Sequence, residues 1–115
     1  MTLSIDTRTT ADGGVVLSLA GEVDYATAPN IRETITGLLR NGKVTSIQVD
    51  VAKVTVLDST GIGTLVVAYR IARDMGIPVS VTNPTKFITR LFTVVGAQEL
   101  LEEKTGAFAT AAKER

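Results

Sequence analysis

A β-branched segment followed by an acidic residue, two hydroxyl residues and two spaced glycines constrains the fold of this chain more than any other feature. Residues 54–65 read Val-Thr-Val-Leu-Asp-Ser-Thr-Gly-Ile-Gly-Thr-Leu, and the apolar run continues through residues 65–69. A β-branched run bounded by turn residues is typical of a buried strand, and the apolar segment after the glycines favours a helix. The stretch therefore predicts a buried strand, a tight turn and the first turn of a helix.

The predicted turn places Ser59 near the N-terminus of that helix. Free backbone N–H groups and the positive end of the helix dipole favour negative charge there. A helix cap needs one hydroxyl or carboxylate, whereas Asp58, Ser59 and Thr60 supply three such groups. Gly61 and Gly63 also reduce the side-chain cover over the loop, which gives another protein's active site access to the backbone. These features favour Ser59 as a phosphate acceptor; the alternative is an ordinary cap.

Strand and helix patterns alternate along the rest of the chain. The predicted strands cover residues 3–7, 15–20, 46–51 with 54–57, 77–82 and the short segment 100–101. The predicted helices cover residues 27–40, 60–74, 84–95 and 105–115, of which the last is either a terminal helix or a frayed end.

The helix predicted over residues 60–74 is apolar nearly all round. One side carries Ile62, Leu65, Val66, Tyr69 and Ala72, and the other carries Val67, Ala68 and Ile71. Such a helix is either buried on two sides or buried on one side and docked to a partner on the other, and we expect the former.

The following helix has its own start signal and its own apolar face. Asn83 is the predicted N-cap, and Pro84 takes the first helical position. The expected core face consists of Phe87, Ile88, Leu91, Phe92 and Val95.

Strands separated by helices imply crossover connections, hence parallel neighbours. The turn at residues 12–14 joins the first two strands in a hairpin, which adds an antiparallel pair. The sequence therefore predicts a single α/β domain over residues 1–115, with a mixed sheet and helices packed mainly on one face.

Composition excludes several function classes. The chain has neither Cys nor His, which removes disulfides, Ser-His-Asp triads and His-ligated or Cys-ligated metal sites. Twelve Lys and Arg balance twelve Asp and Glu, so no overall positive charge favours nucleic acid. No apolar run approaches the ~20 residues of a membrane span, and residues 1–6 do not form a signal peptide. We expect a cytoplasmic, non-enzymatic protein without metal or cofactor.

Four motif interpretations fail on a missing residue or on spacing. The glycines lack the lysine of a P-loop and the spacing of a dinucleotide-binding loop. Thr60 separates Ser59 from Gly61, which breaks the Asp-Ser/Thr-Gly triplet of aspartic proteases. Asp50 lies within a strand, well before Asp58, so the two do not form a carboxylate pair.

Three segments together resemble the STAS family, and in particular its bacterial anti-sigma factor antagonists. Residues 19–24, Leu-Ala-Gly-Glu-Val-Asp, look like the family's opening signature. Residues 49–57 look like its central strand, and residues 58–63, Asp-Ser-Thr-Gly-Ile-Gly, look like its phosphorylation loop. The resemblance runs from about residue 3 to residue 101, and the segment after it departs from the usual family ending.

The resemblance implies a partner-switching regulator. The unphosphorylated antagonist binds an anti-sigma factor that is also a serine kinase, and this binding frees the sigma factor. The kinase phosphorylates the serine that matches Ser59, and a PP2C-type phosphatase removes the phosphate. Partner-binding positions carried over from the family loop and signature are Asp24, Asp58, Thr60, Gly61, Ile62 and Gly63. We expect a monomer or weak dimer that contacts neither nucleic acid nor membrane directly.

Two alternative functions remain open from the sequence. The loop at Ser59 is also suited to holding a nucleotide or small anion without any switching. The apolar segment from Ile62 to Ile71 is also suited to packing in a larger regulatory assembly.

Overall fold

Each parallel strand pair in this protein is joined through a helix, and the strand order across the sheet follows the chain. The computed structural model describes residues 2–101. The sheet order is β1-β2-β3-β4, with β1 antiparallel to β2 and the other neighbours parallel. The elements are β1 (Leu3–Thr9), β2 (Gly14–Val23), α1 (Ala28–Arg40), β3 (Ser46–Leu57), α2 (Ser59–Asp74), β4 (Val79–Thr82) and α3 (Lys86–Val94). The predicted mixed sheet is confirmed.

One face of the sheet is buried and the helices cover it. Alternate residues of the strands point to that face, because side chains along a strand alternate between the two faces. The helices add their own buried residues to the same core cluster. The largest fully buried side chains include Leu17, Leu19, Ile31, Ile35, Ile47, Leu65, Ile88 and Phe92. Among the described residues, no helix is long and apolar enough to cross a membrane.

β3 is a single strand with two β-bulges. Relative to β2 it carries one extra residue between Asp50 and Lys53 and another between Val54 and Val56. The Asp50 carboxylate accepts a hydrogen bond of 3.0 Å from the N–H of Ala52 at the first bulge. The alternation seen in residues 46–51 therefore changes to a buried residue at every third position, and Asp50 has a structural role.

α2 is buried on one side, so the expected burial on two sides is wrong. Its buried residues include Ile62, Leu65, Ala68 and Ala72. Val67 and Ile71 are 53% and 50% exposed, because the residues that α2 contributes to the core lie on its other side. The alternative interpretation, a helix with a free apolar side, fits the structure.

The start predicted for α3 is also wrong. Thr85 is the N-cap, and its Oγ1 accepts a hydrogen bond of 3.3 Å from the N–H of Ile88. Asn83 instead adopts a left-handed conformation with φ of 57° in the turn before the helix. Of the expected core face, Ile88 and Phe92 are buried, whereas Phe87 and Val95 are 48% and 50% exposed.

The predicted strand at residues 100–101 is wrong as well. Gln98–Leu100 forms a 3₁₀ helix, and Leu101 makes one isolated parallel bridge to Val81. The helix predicted over residues 105–115 lies outside the described residues.

The hairpin turn between β1 and β2 has a testable ionic feature. The Thr10 hydroxyl and the N–H of Gly14 both donate to Asp12 Oδ1, and these bonds lower the pKa of Asp12 from its usual 3.8. Because the carboxylate is favoured in the folded state, its stabilising contribution is complete above pH 3.8 and is lost as the pH falls through the folded-state pKa.

We expect a carboxyl NMR titration to place the pKa of Asp12 below 3.8, and Thr10→Ala to raise it towards that value. Thr9→Ala, at the end of β1, is the control and leaves the titration unchanged. A pKa of Asp12 that does not respond to Thr10→Ala would contradict the assigned cause.

Candidate functional site

Two loops meet where the parallel strands β2 and β3 end. The N–H of Asp58 donates to the carbonyl oxygen of Val23 over 3.1 Å, which ties the end of β3 to the end of β2. The N–H of Tyr25 donates to Asp58 Oδ2 over 3.2 Å. Asp58 therefore joins the β2–α1 loop to the beginning of α2, although 33 residues separate it from Tyr25.

Asp58 is the N-cap of α2. Its backbone is extended, with φ of −104° and ψ of 179°, and its Oδ1 accepts a hydrogen bond of 2.9 Å from the N–H of Gly61. This settles which residue caps the helix and leaves the side chain of Ser59 out of that role. Ser59 and Thr60 are both exposed, and within residues 2–101 the Ser59 hydroxyl makes no hydrogen bond.

Asp24 is buried and organises the β2–α1 loop. It is 5% exposed, and its Oδ1 accepts hydrogen bonds from the N–H groups of Ala26 and Thr27 at 3.0 and 3.1 Å. The Thr27 hydroxyl accepts from the N–H of Asp24 over 3.0 Å and donates to the carbonyl of Glu22 over 2.8 Å. Thr27 is the N-cap of α1 without a side-chain capping bond. The buried carboxylate of Asp24 thus holds the backbone of the β2–α1 loop in place through these hydrogen bonds.

Tyr25 is a surface residue that the sequence interpretation missed. It follows Asp24 in the loop, is 75% exposed and lies beside Asp58 through its backbone N–H. Exposed aromatic side chains are enriched at protein interfaces. The sequence does show that Tyr25 follows Asp24 of the opening signature. The proximity of Tyr25 to Asp58 depends on the tertiary fold and is not visible in the sequence.

The two glycines of the loop have different environments. A Cβ on Gly61 would lie 2.6 Å from Val23 Cγ1 and 3.0 Å from Leu57 Cδ1, so Gly61 permits close packing of α2 on the strand ends. Nothing lies within 4 Å of a Cβ on Gly63, which is exposed. The expectation of an uncovered backbone therefore applies to Gly63 and is wrong for Gly61. Ile62 is 4% exposed and belongs to the core.

The two loops of the site carry negative charge and have no basic residue of their own. Neither residues 22–27 nor residues 57–64 include Lys or Arg. The next basic residue along α2, Arg70, is 11 residues after Ser59, which corresponds to about 16 Å along a helix. The two residues nevertheless line one surface pocket, so Arg70 is the nearest cation on this helix. A phosphate on Ser59 would therefore have the helix N-terminus and the carboxylate of Asp58 as its nearest charged surroundings within these two loops.

The site lacks the features of a metal centre. Among the described residues, no group of three or more His, Cys, Asp or Glu side chains is placed to hold a metal ion. A free anion at the start of α2 meets the carboxylate of Asp58, which already accepts the N–H of Gly61. The structure therefore gives the anion-binding alternative little support.

The different environments of the two glycines predict opposite effects on stability. Gly61→Ala places a methyl group against Val23 and should destabilise the protein by about 1–3 kcal/mol, as overpacked sites do. Gly63→Ala is the matched control and should stabilise it by up to about 1 kcal/mol, because alanine favours the helix. Urea unfolding measures both values, and equal effects would contradict the assigned packing.

The two hydrogen bonds of the Asp58 carboxylate are separable by substitution. Asp58→Ala removes both and should cost about 1 kcal/mol for the cap alone. Asp58→Asn keeps a carbonyl oxygen that accepts the N–H of Gly61, so it should retain most of the stability. Its NH₂ group takes the place of Oδ2 and does not accept the N–H of Tyr25.

Hydrogen exchange at the amide of Tyr25 should accelerate in both Asp58 variants. Thr85→Ala, which removes the cap of α3, is the matched control and should leave the amide of Tyr25 protected. Unchanged exchange at Tyr25 in Asp58→Ala would contradict the proposed link between the loops.

Comparisons with known proteins identify the family of this chain. A profile of the STAS domain family, described as "Mlab, STAS domain", matches residues 7–102. The anti-sigma-B factor antagonist of Bacillus subtilis (strain 168) is 24% identical over 102 residues, covering 89% of this chain and 91% of the relative. The anti-sigma-B factor antagonist of Staphylococcus aureus (strain NCTC 8325 / PS 47) is 29% identical over 106 residues, covering 92% and 96%.

Solved structures show the same fold. The anti-sigma factor antagonist SpoIIAA in its unphosphorylated form superposes with a TM-score of 0.77 at 22% identity, covering 90% of each chain. The Bacillus cell fate determinant SpoIIAA in the phosphorylated form superposes with a TM-score of 0.72 at 22% identity, covering 90% of this chain and 93% of the other. With a family profile spanning most of its length and this shared fold, the chain belongs to the STAS domain family.

Proposed function

We propose that this protein is an anti-sigma factor antagonist that is switched by phosphorylation of Ser59. Its unphosphorylated form binds an anti-sigma factor that is also a serine kinase, and this binding releases the sigma factor. The names of its relatives support the class of partner. The observation that carries the proposal is the position of Ser59, which is exposed at the first residue of α2 and has a hydroxyl that the cap does not use.

A phosphate on Ser59 acts on the complex more than on the fold. A phosphoserine carries about −1.5 to −2 charge at neutral pH. The N-terminus of α2 favours that charge by about 0.3–1 kcal/mol, whereas the neighbouring Asp58 opposes it. Because these effects oppose each other at an exposed residue, the folded state changes little in stability.

When a partner covers the site closely, the same phosphate makes binding strongly unfavourable. Closure over the site removes water from the phosphate and from Asp58, and neither loop offers a basic side chain to pair with them. Each 1.4 kcal/mol lowers the affinity about tenfold, so a few kcal/mol suffice for a switch.

The other site residues have distinct roles in this proposal. Thr60 and Gly63 form the exposed surface beside Ser59, while Gly61 and Ile62 set its position from the core. Asp24 holds the neighbouring loop in shape, and Asp58 joins the two loops. A PP2C-type phosphatase reverses the modification, and the protein acts in the cytoplasm.

The phosphorylation site is tested with the kinase captured from the source organism. Wild-type protein and Ser59→Ala are incubated with this kinase and radiolabelled ATP. We expect Ser59→Ala to bind the kinase and to remain unlabelled. Thr89→Ala, which removes an exposed hydroxyl of α3 outside the site, is the matched control and should be labelled like the wild type. Labelling of Ser59→Ala to the wild-type extent would contradict the assignment.

The location of the switch is tested with Ser59→Glu. We expect this variant to melt like the wild type and to bind the kinase at least tenfold more weakly by calorimetry. Wild-type binding by Ser59→Glu would contradict the proposed switch, and unfolding of the variant would assign the effect to the fold instead of the interface.

A further inference from the structure

An apolar groove of about 670 Å³ lies between α1 and α2 on the surface of the protein. Ile35 and Leu39 of α1 form one wall. The other wall is a stripe on α2, where Val67, Ile71 and Met75 follow each other at intervals of four residues. These three side chains are 53%, 50% and 52% exposed. Half-exposed apolar side chains in a row are typical of a surface that a partner covers.

The charged residues of the groove are all positive. Arg32 and Arg40 of α1 line it, and no acidic residue does so among residues 2–101. The two arginines are eight residues apart, so they lie on the same side of α1 at a separation of about 12 Å. A partner that fits this surface therefore combines an apolar face with negative charge along one flank.

The length of the groove favours a helix as that partner. Its lining on α2 runs from Thr60 to Met75, which spans about 22 Å along the helix axis. A helix of about 15 residues has the same length, and apolar residues at every third or fourth position give it one apolar face.

The groove is continuous with the proposed phosphorylation site. Thr60 and Gly63 line its end and also flank Ser59 on the surface. A partner helix that fills the groove, with acidic residues along one flank, thus ends beside the hydroxyl of Ser59. A phosphate there adds like charge next to the bound helix and weakens its binding.

We propose that the α1–α2 groove is a docking site for an amphipathic helix of the anti-sigma factor, with acidic residues along the flank that faces Arg32 and Arg40. The inference rests on the proposed function for the identity of this partner. The groove geometry and charge define the chemistry of the helix independently of that identity.

The first test uses a defined probe. A 15-residue capped peptide carries leucines at helical three-and-four spacing and glutamates along one flank, and a matched peptide carries lysines in place of the glutamates. Both are titrated into ¹⁵N-labelled full-length protein. We expect resonance shifts along α1 and α2 and about tenfold tighter binding of the glutamate peptide. Equal affinities, or shifts located elsewhere, would overturn the proposal.

Charge reversal provides the matched variants. The double variant Arg32→Glu and Arg40→Glu should invert the preference between the two peptides. Arg90→Glu on the exposed side of α3 lies outside the groove and should leave the preference unchanged. Inversion by Arg90→Glu as well would assign the effect to overall charge and overturn the proposal.

A second copy of this protein is the alternative occupant of the groove. Sedimentation of the wild type without peptide should give a monomer if the groove is reserved for a partner. A dimer that Ile71→Glu dissociates would mean that a second copy occupies the groove, and would overturn the proposal. Ile71 is half-exposed, so this variant should keep the wild-type melting temperature.

Binding to the captured anti-sigma factor separates this inference from the proposed function. The double arginine variant should bind it at least tenfold more weakly than the wild type does. Undiminished binding would overturn the groove inference and leave the antagonist function in place. Absence of any anti-sigma factor on the wild type, with the peptide preference present, would overturn the antagonist function and support the groove chemistry.

Discussion

The carboxylate of Asp58 is the interaction on which the site depends. One oxygen accepts the N–H of Gly61 and begins α2, while the other accepts the N–H of Tyr25 from the loop before α1. A single side chain thus fixes both the start of one helix and the position of a neighbouring loop. Because Asp58 caps the helix, the hydroxyl of Ser59 is not needed for the cap.

Close packing beneath the loop fixes the direction in which Ser59 points. Gly61 lies against Val23 and Leu57 at the ends of the two strands, where a side chain has no room. α2 therefore sits tightly on the sheet from its first turn, and Ser59 faces outward. Val67 and Ile71 lie away from this packed side of α2, along the groove beside α1, and remain half-exposed.

Local patterns were sufficient for strands β1 to β4 and helices α1 to α3. They were insufficient for the segment at residues 98–101 and for features that depend on contacts distant in sequence. The strand–turn–helix at residues 54–65 and the first hairpin were predictable, because their turn residues lie next to periodic apolar runs. The position of the α3 cap was not, since Asn83 and Thr85 are both acceptable caps and the turn geometry selects between them. The bond between Asp58 and Tyr25 spans 33 residues and has no local signature.

If Ser59 is the phosphate acceptor, as proposed, its position beside an already capped helix has a thermodynamic consequence for regulation. If the hydroxyl of Ser59 capped α2, modification would replace the capping group itself and alter the start of the helix, where a cap contributes about 1 kcal/mol. With Asp58 as the cap, the proposed modification of Ser59 leaves the capping bond to the N–H of Gly61 in place. The modified and unmodified proteins then differ mainly in surface charge, so the free energy that separates bound from released states must arise in the complex. Such a switch leaves the protein folded and available for dephosphorylation, and its strength is set by how completely the partner excludes water from Ser59.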